Sequence, residues 1–287
     1  MKNIIIILLL GITSLSAQEK NQECKEEMGA NLFFDSSISL YGGGSCAGAS
    51  CHVGSNNFMP TDKLQGGEGV VRLDKGMQIC KYGPKNITVD APKINSPGIR
   101  GFKHKELALH KGVKKELQPT AQFGFTAHQI DTVKTAQMDK YKYYAAVCYQ
   151  SSEVTGHIIT DALLKYMNSL EVYTDWAEYV KTGQMTNRIK RTLPTIQECL
   201  SCHSNPQGSS DKFGHVVLNS SNKNILDTTM VLTRGWSYSN DTPLWFWNGS
   251  YNSNSFYGLK KHAENEGIEL TDKQIKEIQK FIKKSAN

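Results

Sequence analysis

The sequence predicts a mainly α-helical protein with long irregular loops, and three stretches carry that reading. Ile159, Leu163, Tyr166 and Leu170 recur at helical spacing from Ile158 onward, with charged residues between them. The C-terminal stretch reads as a helix with both ends signalled. Thr271 and Gln274 form a capping box, and Leu270 and Ile275 sit where a hydrophobic staple would put them. Ile275, Ile278 and Ile282 mark its buried face, while Lys280, Lys283 and Lys284 lie in the last turns, where the helix dipole favours cations. Residues 53–95, by contrast, are rich in Gly, Asn, Asp and Lys with weak periodicity and read as loop. Alternating strand patterns are few throughout.

At the N-terminus, Lys2 precedes an unbroken apolar run from Ile4 to Leu10, followed by the small residues Ser14, Ser16 and Ala17. This is the pattern of a cleavable secretory signal over residues 1–17. The run is too short to span a bilayer, and no other segment approaches that length. Met28 to Asp35 reads as a short helix end, and the Gly42-Gly43-Gly44 turn leads from it into a cysteine cluster. Lys181 to Thr192 contains Gly183, several Lys and Arg and few apolar residues, so it reads as a linker ending at Pro194. It divides the exported chain into residues 18–182 and 183–287. Lys and Arg number 33 against 27 Asp and Glu, a mildly basic balance. The cations are scattered, as in Lys114-Lys115, without the stripe that nucleic acid requires. A mildly basic surface suits an acidic redox partner, and it also describes an ordinary solvated face.

The seven cysteines are unevenly placed. Cys46/Cys51 and Cys199/Cys202 form two clusters, each followed at once by a histidine, whereas Cys24, Cys80 and Cys148 stand alone. Export permits disulfides, but three remaining thiols cannot pair completely within one chain. Either one disulfide leaves a free thiol, or a thiol lies near a cofactor edge. Cys199-Leu200-Ser201-Cys202-His203 is the attachment motif of c-type haem. Two thiols must reach the two vinyl groups on one porphyrin edge, and the next residue must bring its imidazole beneath the iron. A zinc half-site would need two further ligands, and a redox dithiol does not need the histidine. Cys46-Ala47-Gly48-Ala49-Ser50-Cys51-His52 is a longer version, whose small residues can bulge and still deliver both sulfurs. The expected cofactors are therefore two covalently bound haems, one in each half.

Leu32-Phe33-Phe34-Asp35, then Ser37, Ser39 and Ser45-Cys46 through Cys51-His52, resemble the opening of the bacterial di-haem cytochrome c peroxidases, which include the MauG-type enzymes. The resemblance continues through Asn95-Ser96-Pro97, Gly112, the helix ending at Leu170, Asp175-Trp176-Ala177-Glu178-Tyr179 and the second haem motif. It closes with Pro243 to Gly249 and Leu270-Thr271-Asp272. It implies two cytochrome-c-like haem domains facing a shared interface. The N-terminal haem would react with peroxide, and the C-terminal haem would collect electrons from a small cytochrome or cupredoxin. Carried over residue by residue, His52 and His203 become the proximal iron ligands. His262 falls at the sixth-ligand position of the C-terminal haem, where the family often has methionine; a surface histidine is the alternative, with Met230 and His215 as fallback ligands. Asn95, Asp241 and Pro243 fall at or near the positions that hold calcium in the family, a plain turn being the alternative. The resemblance is also compatible with a homodimer.

The departures bear on function. The family's distal histidine is missing, since no histidine occurs between His52 and His104. His110 stands where the family has a tryptophan between the haems. No glutamate occurs from Leu117 through Ser152 to match the distal one, and His128 or Asp131 could stand in for it. Peroxide cleavage needs a group that moves a proton from one oxygen to the other. Two functions follow: a periplasmic di-haem peroxidase or MauG-like oxidoreductase, or a non-peroxidase electron-transfer protein. The latter could be a subunit of a larger redox complex, as the small subunit of hydrazine synthase resembles this family.

Overall fold

Helix α1 (Lys2–Phe34) opens the computed structural model and is followed by a 3-10 turn at Ser36–Ile38. The structure describes residues 2–38, 46, 52, 70–73, 77–80, 99–105, 107–108, 113–114, 130–210, 212–215, 230–232, 235–236, 244–245, 251–252 and 256–285. Strands β1 (Val70–Leu73) and β2 (Met77–Cys80) pair antiparallel, with Val71 opposite Ile79. A second 3-10 turn, Phe102–His104, precedes the short pair β3 (Leu107–Ala108) and β4 (Val113–Lys114). Then come α2 (Thr132–Gln137), α3 (Asp139–Tyr149), α4 (Gly156–Ser169), α5 (Asp175–Thr182) and α6 (Asn187–Ile196). A 3-10 turn at Glu198–Ser201 leads to two hairpins, β5 (Phe213–His215) with β6 (Met230–Leu232) and β7 (Leu244–Trp245) with β8 (Tyr251–Asn252). Helices α7 (Phe256–Asn265) and α8 (Asp272–Ser285) close the chain.

The first core is built by α1, α3 and α4. Met28, Leu32 and Phe33 of α1 pack with Tyr141, Ala145 and Cys148 of α3 and Ile158, Ile159, Ala162 and Leu163 of α4. Each partner shows its apolar residues at three- and four-residue steps, which makes one buried stripe per helix. α1 and α4 touch through Gly29, where a Cβ would overlap the carbonyl oxygen of Ala162. Thr155 caps α4 by accepting from Ile158 N at 3.3 Å. A disulfide joins Cys24 of α1 to Cys148 of α3 across a sequence separation of 124. That settles which two of the three solitary cysteines pair; Cys80 lies in β2.

The second core gathers Trp176 from α5, Ile189 and Ile196 from α6, Trp236, Leu259 from α7, and Ile275, Ile278, Phe281 and Ile282 from α8. The capping box of α8 is present: Thr271 N donates to Gln274 Oε1 at 2.9 Å, and Gln274 N donates to Thr271 Oγ1 at 3.3 Å. Two readings of the sequence are corrected here. The linker expected over 181–192 holds the start of α6, capped by Thr186, whose hydroxyl accepts from Ile189 N at 3.3 Å. Ile189, Thr192 and Ile196 are buried on α6 and Leu193 packs partly buried beside them, so its cations hid a sound amphipathic stripe. Pro194 lies inside the helix, where it removes one hydrogen bond in the last turn. The loop expected over 53–95 contains the β1–β2 hairpin, whose strands are too short for an alternating pattern to register.

Candidate functional site

Cys199 and Cys202 lie on the 3-10 turn that follows α6. Cys202 N donates to Cys199 O at 3.1 Å and His203 N to the same oxygen at 2.9 Å, so one tight turn presents both thiols and the imidazole. Burial, then Glu198 and the neighbouring Cys202, push the Cys199 thiol up to about 11.

His203 sits in a cage that fixes its tautomer. Its Nδ1 lies 2.5 Å from Gly208 O, and a carbonyl oxygen can only accept, so Nδ1 carries the proton and Nε2 keeps its lone pair. Asn205 shapes the loop that presents this carbonyl. Its Oδ1 accepts from Gln207 N at 3.0 Å and Ser209 N at 2.9 Å, while Gly208 N donates to Asn205 O at 2.7 Å. Gly208 has φ +70, and a Cβ there would strike the Trp236 indole. Trp236 stacks on the His203 ring with centroids 4.7 Å apart and planes within 10°. Burial, and secondly the nearby His262, push His203 down to about 4, so the imidazole is neutral at pH 7, the form that binds a metal.

The His262 ring of α7 stands 6.2 Å from that of His203, centroid to centroid, at an interplanar angle of 86°. Two imidazoles on opposite sides of one iron would have ring centres roughly 6.4 Å apart, taking about 2 Å per metal–nitrogen bond and about 1.2 Å from nitrogen to ring centre. The pair therefore fits a bis-histidine haem. Glu266 follows four residues on, just past the end of α7, with Oε1 4.0 Å from His262 Nδ1. Each imidazole thus has an oxygen beside Nδ1, a carbonyl for His203 and a carboxylate for His262. The fallback ligands His215 and Met230 face each other as cross-strand partners in the β5–β6 hairpin.

In the first half, Cys46 packs half-buried against the α1–α3–α4 core. The His52 ring lies 6.2 Å from Phe33, which in turn contacts Tyr166 at 5.3 Å. The motif therefore leans on the apolar wall a haem face requires. Asp35 braces the end of α1: Oδ2 accepts from Tyr141 OH at 2.7 Å and Oδ1 from Ser37 N at 2.8 Å. Burial opposes its charge, but the Ser37 and Tyr141 hydrogen bonds and nearby Lys140 outweigh it and hold the carboxyl below its usual value. Asp131 is the N-cap of α2, accepting from Lys134 N at 2.8 Å, which gives its carboxylate a structural task. Cys51, Asn95, His110, His128, Asp241 and Pro243 lie outside the described residues.

A family profile described as di-haem cytochrome c peroxidase matches residues 23–184, more than half of the chain. The chain belongs to the di-haem cytochrome c peroxidase family. Membership makes haem its cofactor and oxidoreductase chemistry its class. The match includes the Cys46–His52 motif and stops short of Cys199. Solved structures extend the likeness over most of the chain. A MauG-like protein associated with microbial copper homeostasis aligns with a TM-score of 0.66 at 15% identity, covering 92% of this chain and 89% of its own. The diheme peroxidase BthA from Burkholderia thailandensis aligns at 0.60 and 15% identity, covering 91% and 85%. At such identities the likeness establishes the fold, which is that expected for the family. No curated protein matches the sequence. No helix among the described residues is long and apolar enough to cross a membrane.

Sequence reasoning missed Trp236, Gly208, Asn205 and Glu266. The Asn205-Pro206-Gln207-Gly208 run is a turn signal that marks the loop, and Glu266 stands at helical spacing from His262. Trp236 carries no local signal, because its position against His203 is purely a matter of packing.

Proposed function

We propose that the protein is an exported di-haem c-type cytochrome that reduces hydrogen peroxide at the N-terminal haem, with electrons entering through the C-terminal haem. When bound, the haems supply the one-electron storage and the peroxide-reducing centre. Cys46 and Cys51 tether one and Cys199 and Cys202 the other, with His52 and His203 as proximal ligands. The observation that carries the reading is the 6.2 Å pairing of His203 with His262. An iron held by both would have no position left for peroxide, which supports electron transfer at the C-terminal site and the reaction on His52's side. His128 is the proton-transfer residue of this reading and His110 stands between the haems. Asn95, Asp241 and Pro243 would hold calcium between the halves.

The test is single-turnover mixing of the fully reduced protein with hydrogen peroxide, followed in the visible and near-infrared. Peroxide-dependent oxidation of both haems is expected in the wild type, slowed by at least about tenfold in His128→Ala. His262→Met should keep the C-terminal haem six-coordinate and raise its potential, because a thioether favours ferrous iron. A wild type that leaves peroxide untouched while both haems are low-spin supports the second reading, an electron carrier or complex subunit. The missing distal glutamate favours that reading, whereas the missing distal histidine favours an open, reactive iron.

A further inference from the structure

Charge that looks scattered along the sequence is concentrated by the fold. Helices α6 and α8, which pack against each other, carry eight Lys and Arg against two Asp and Glu, a formal +6. The whole chain is also +6, so the remainder is balanced. On α8 the cations form a single line. Lys273, Lys276, Lys280 and Lys283 recur at steps of three and four, all exposed, while Ile275, Ile278, Phe281 and Ile282 are buried on the opposite side. From Lys273 to Lys283 the line runs about 15 Å along the helix, the scale of a patch on a small redox protein. The two acidic residues of α8 flank this line and are each engaged: Asp272 pairs with Lys260 at 3.0 Å and Glu277 accepts from Thr195 of α6 at 3.3 Å.

The inner side of α8 leads to the C-terminal iron ligand. Phe281 meets Trp236 edge-on with centroids 5.6 Å apart, and Trp236 stacks on His203 at 4.7 Å. Two ring layers thus separate the lysine-bearing helix from the proximal imidazole. We propose that the lysine face of α8 is the docking surface for an acidic one-electron donor protein that reduces the haem held by His203. This rests on the reading of that haem as the point where electrons enter. The donor's reduced metal centre gives up one electron and the ferric iron at His203 takes it, with no bond made and no proton moved. An anionic membrane is a poorer occupant, because a helix that lies in an interface inserts an apolar face, and the apolar face of α8 is spent in the core.

The experiment uses the mature holoprotein and reduced plant-type ferredoxin, an acidic, low-potential carrier. The second-order rate of haem reduction is measured by stopped flow against ionic strength. The triple variant Lys276→Gln, Lys280→Gln, Lys283→Gln should be slowed at least about tenfold at low salt, because rim charges act on association rate. The difference should close near 1 M salt, where screening reaches about 3 Å. A matched triple on the first half, Lys20→Gln, Lys134→Gln, Lys142→Gln, should change the rate little. Equal slowing of both triples would show that net charge alone matters and overturn the proposal. So would salt-reversible binding of phosphatidylserine vesicles that needs the α8 lysines while ferredoxin rates do not. If ferredoxin reduces the N-terminal haem first in the wild type, it is the electron-entering role of the C-terminal haem that fails, whatever the lysines do.

Discussion

At His262, a carboxylate one turn away sets the expected chemistry. Glu266 Oε1 lies 4.0 Å from Nδ1, beyond hydrogen-bond reach, and a negative charge that close to the ligand favours ferric over ferrous iron. Glu266→Gln is expected to raise the C-terminal midpoint potential by on the order of 30–60 mV, a tenfold change in a one-electron equilibrium being 59 mV. Glu264→Gln removes the same charge from an exposed site on the same helix and pairs instead with Lys261, so redox titration should show little shift. Equal shifts in both variants would leave Glu266 with no special role. Asp35 gives a second residue-level expectation. Its folded carboxyl is held below the usual aspartate value, so its contribution is complete above about pH 4 and lost as pH falls through the lowered folded value. Urea midpoints should therefore drop more between pH 5 and pH 2.5 in the wild type than in Asp35→Asn.

Among the elements, α2 gives a candidate catalytic residue a structural task. Asp131 closes the first turn of α2 through Lys134 N, and its own N–H donates to Ile38 O at 2.7 Å. Asn is as good an N-cap as Asp, whereas Ala is not. Asp131→Asn is thus expected to leave both stability and peroxide oxidation near wild type, and Asp131→Ala to cost about 1 kcal/mol by denaturant unfolding. A tenfold loss of peroxide rate in Asp131→Asn would restore its proton-transfer role. The same scale shows what the sequence displays openly. α4 and α8 were legible because their apolar stripes are dense and their caps explicit. α6 was not, since three inward positions among five polar ones resemble a linker until a core is there to bury them.

For the whole molecule, the Cys24–Cys148 bridge ties the long N-terminal helix to α3 across most of the first core. Closing so large a loop restricts the unfolded chain strongly. Replacing both cysteines with serine should cost about 2–4 kcal/mol of unfolding free energy, measured with haem bound. Haem content per chain should stay unchanged, because neither cysteine belongs to an attachment motif. A fall in haem content would mean that one of them serves the cofactor. The second core relies on Trp176, Trp236 and Phe281 packed around one another.

The sequence by itself determined the haem chemistry, the family and the two best helices. Thioether attachment requires two thiols and an imidazole within one turn of chain, so the demand is written in consecutive residues. Helix stripes and capping boxes are likewise local. The tertiary structure decided the rest: which cysteines pair, which carbonyl orients the His203 imidazole, that Trp236 lies on His203, and that the lysine face of α8 stands behind Phe281. These depend on residues far apart in the chain meeting across a core. Burial energy rewards any apolar partner of suitable size, so no single residue announces in advance which neighbour it will meet.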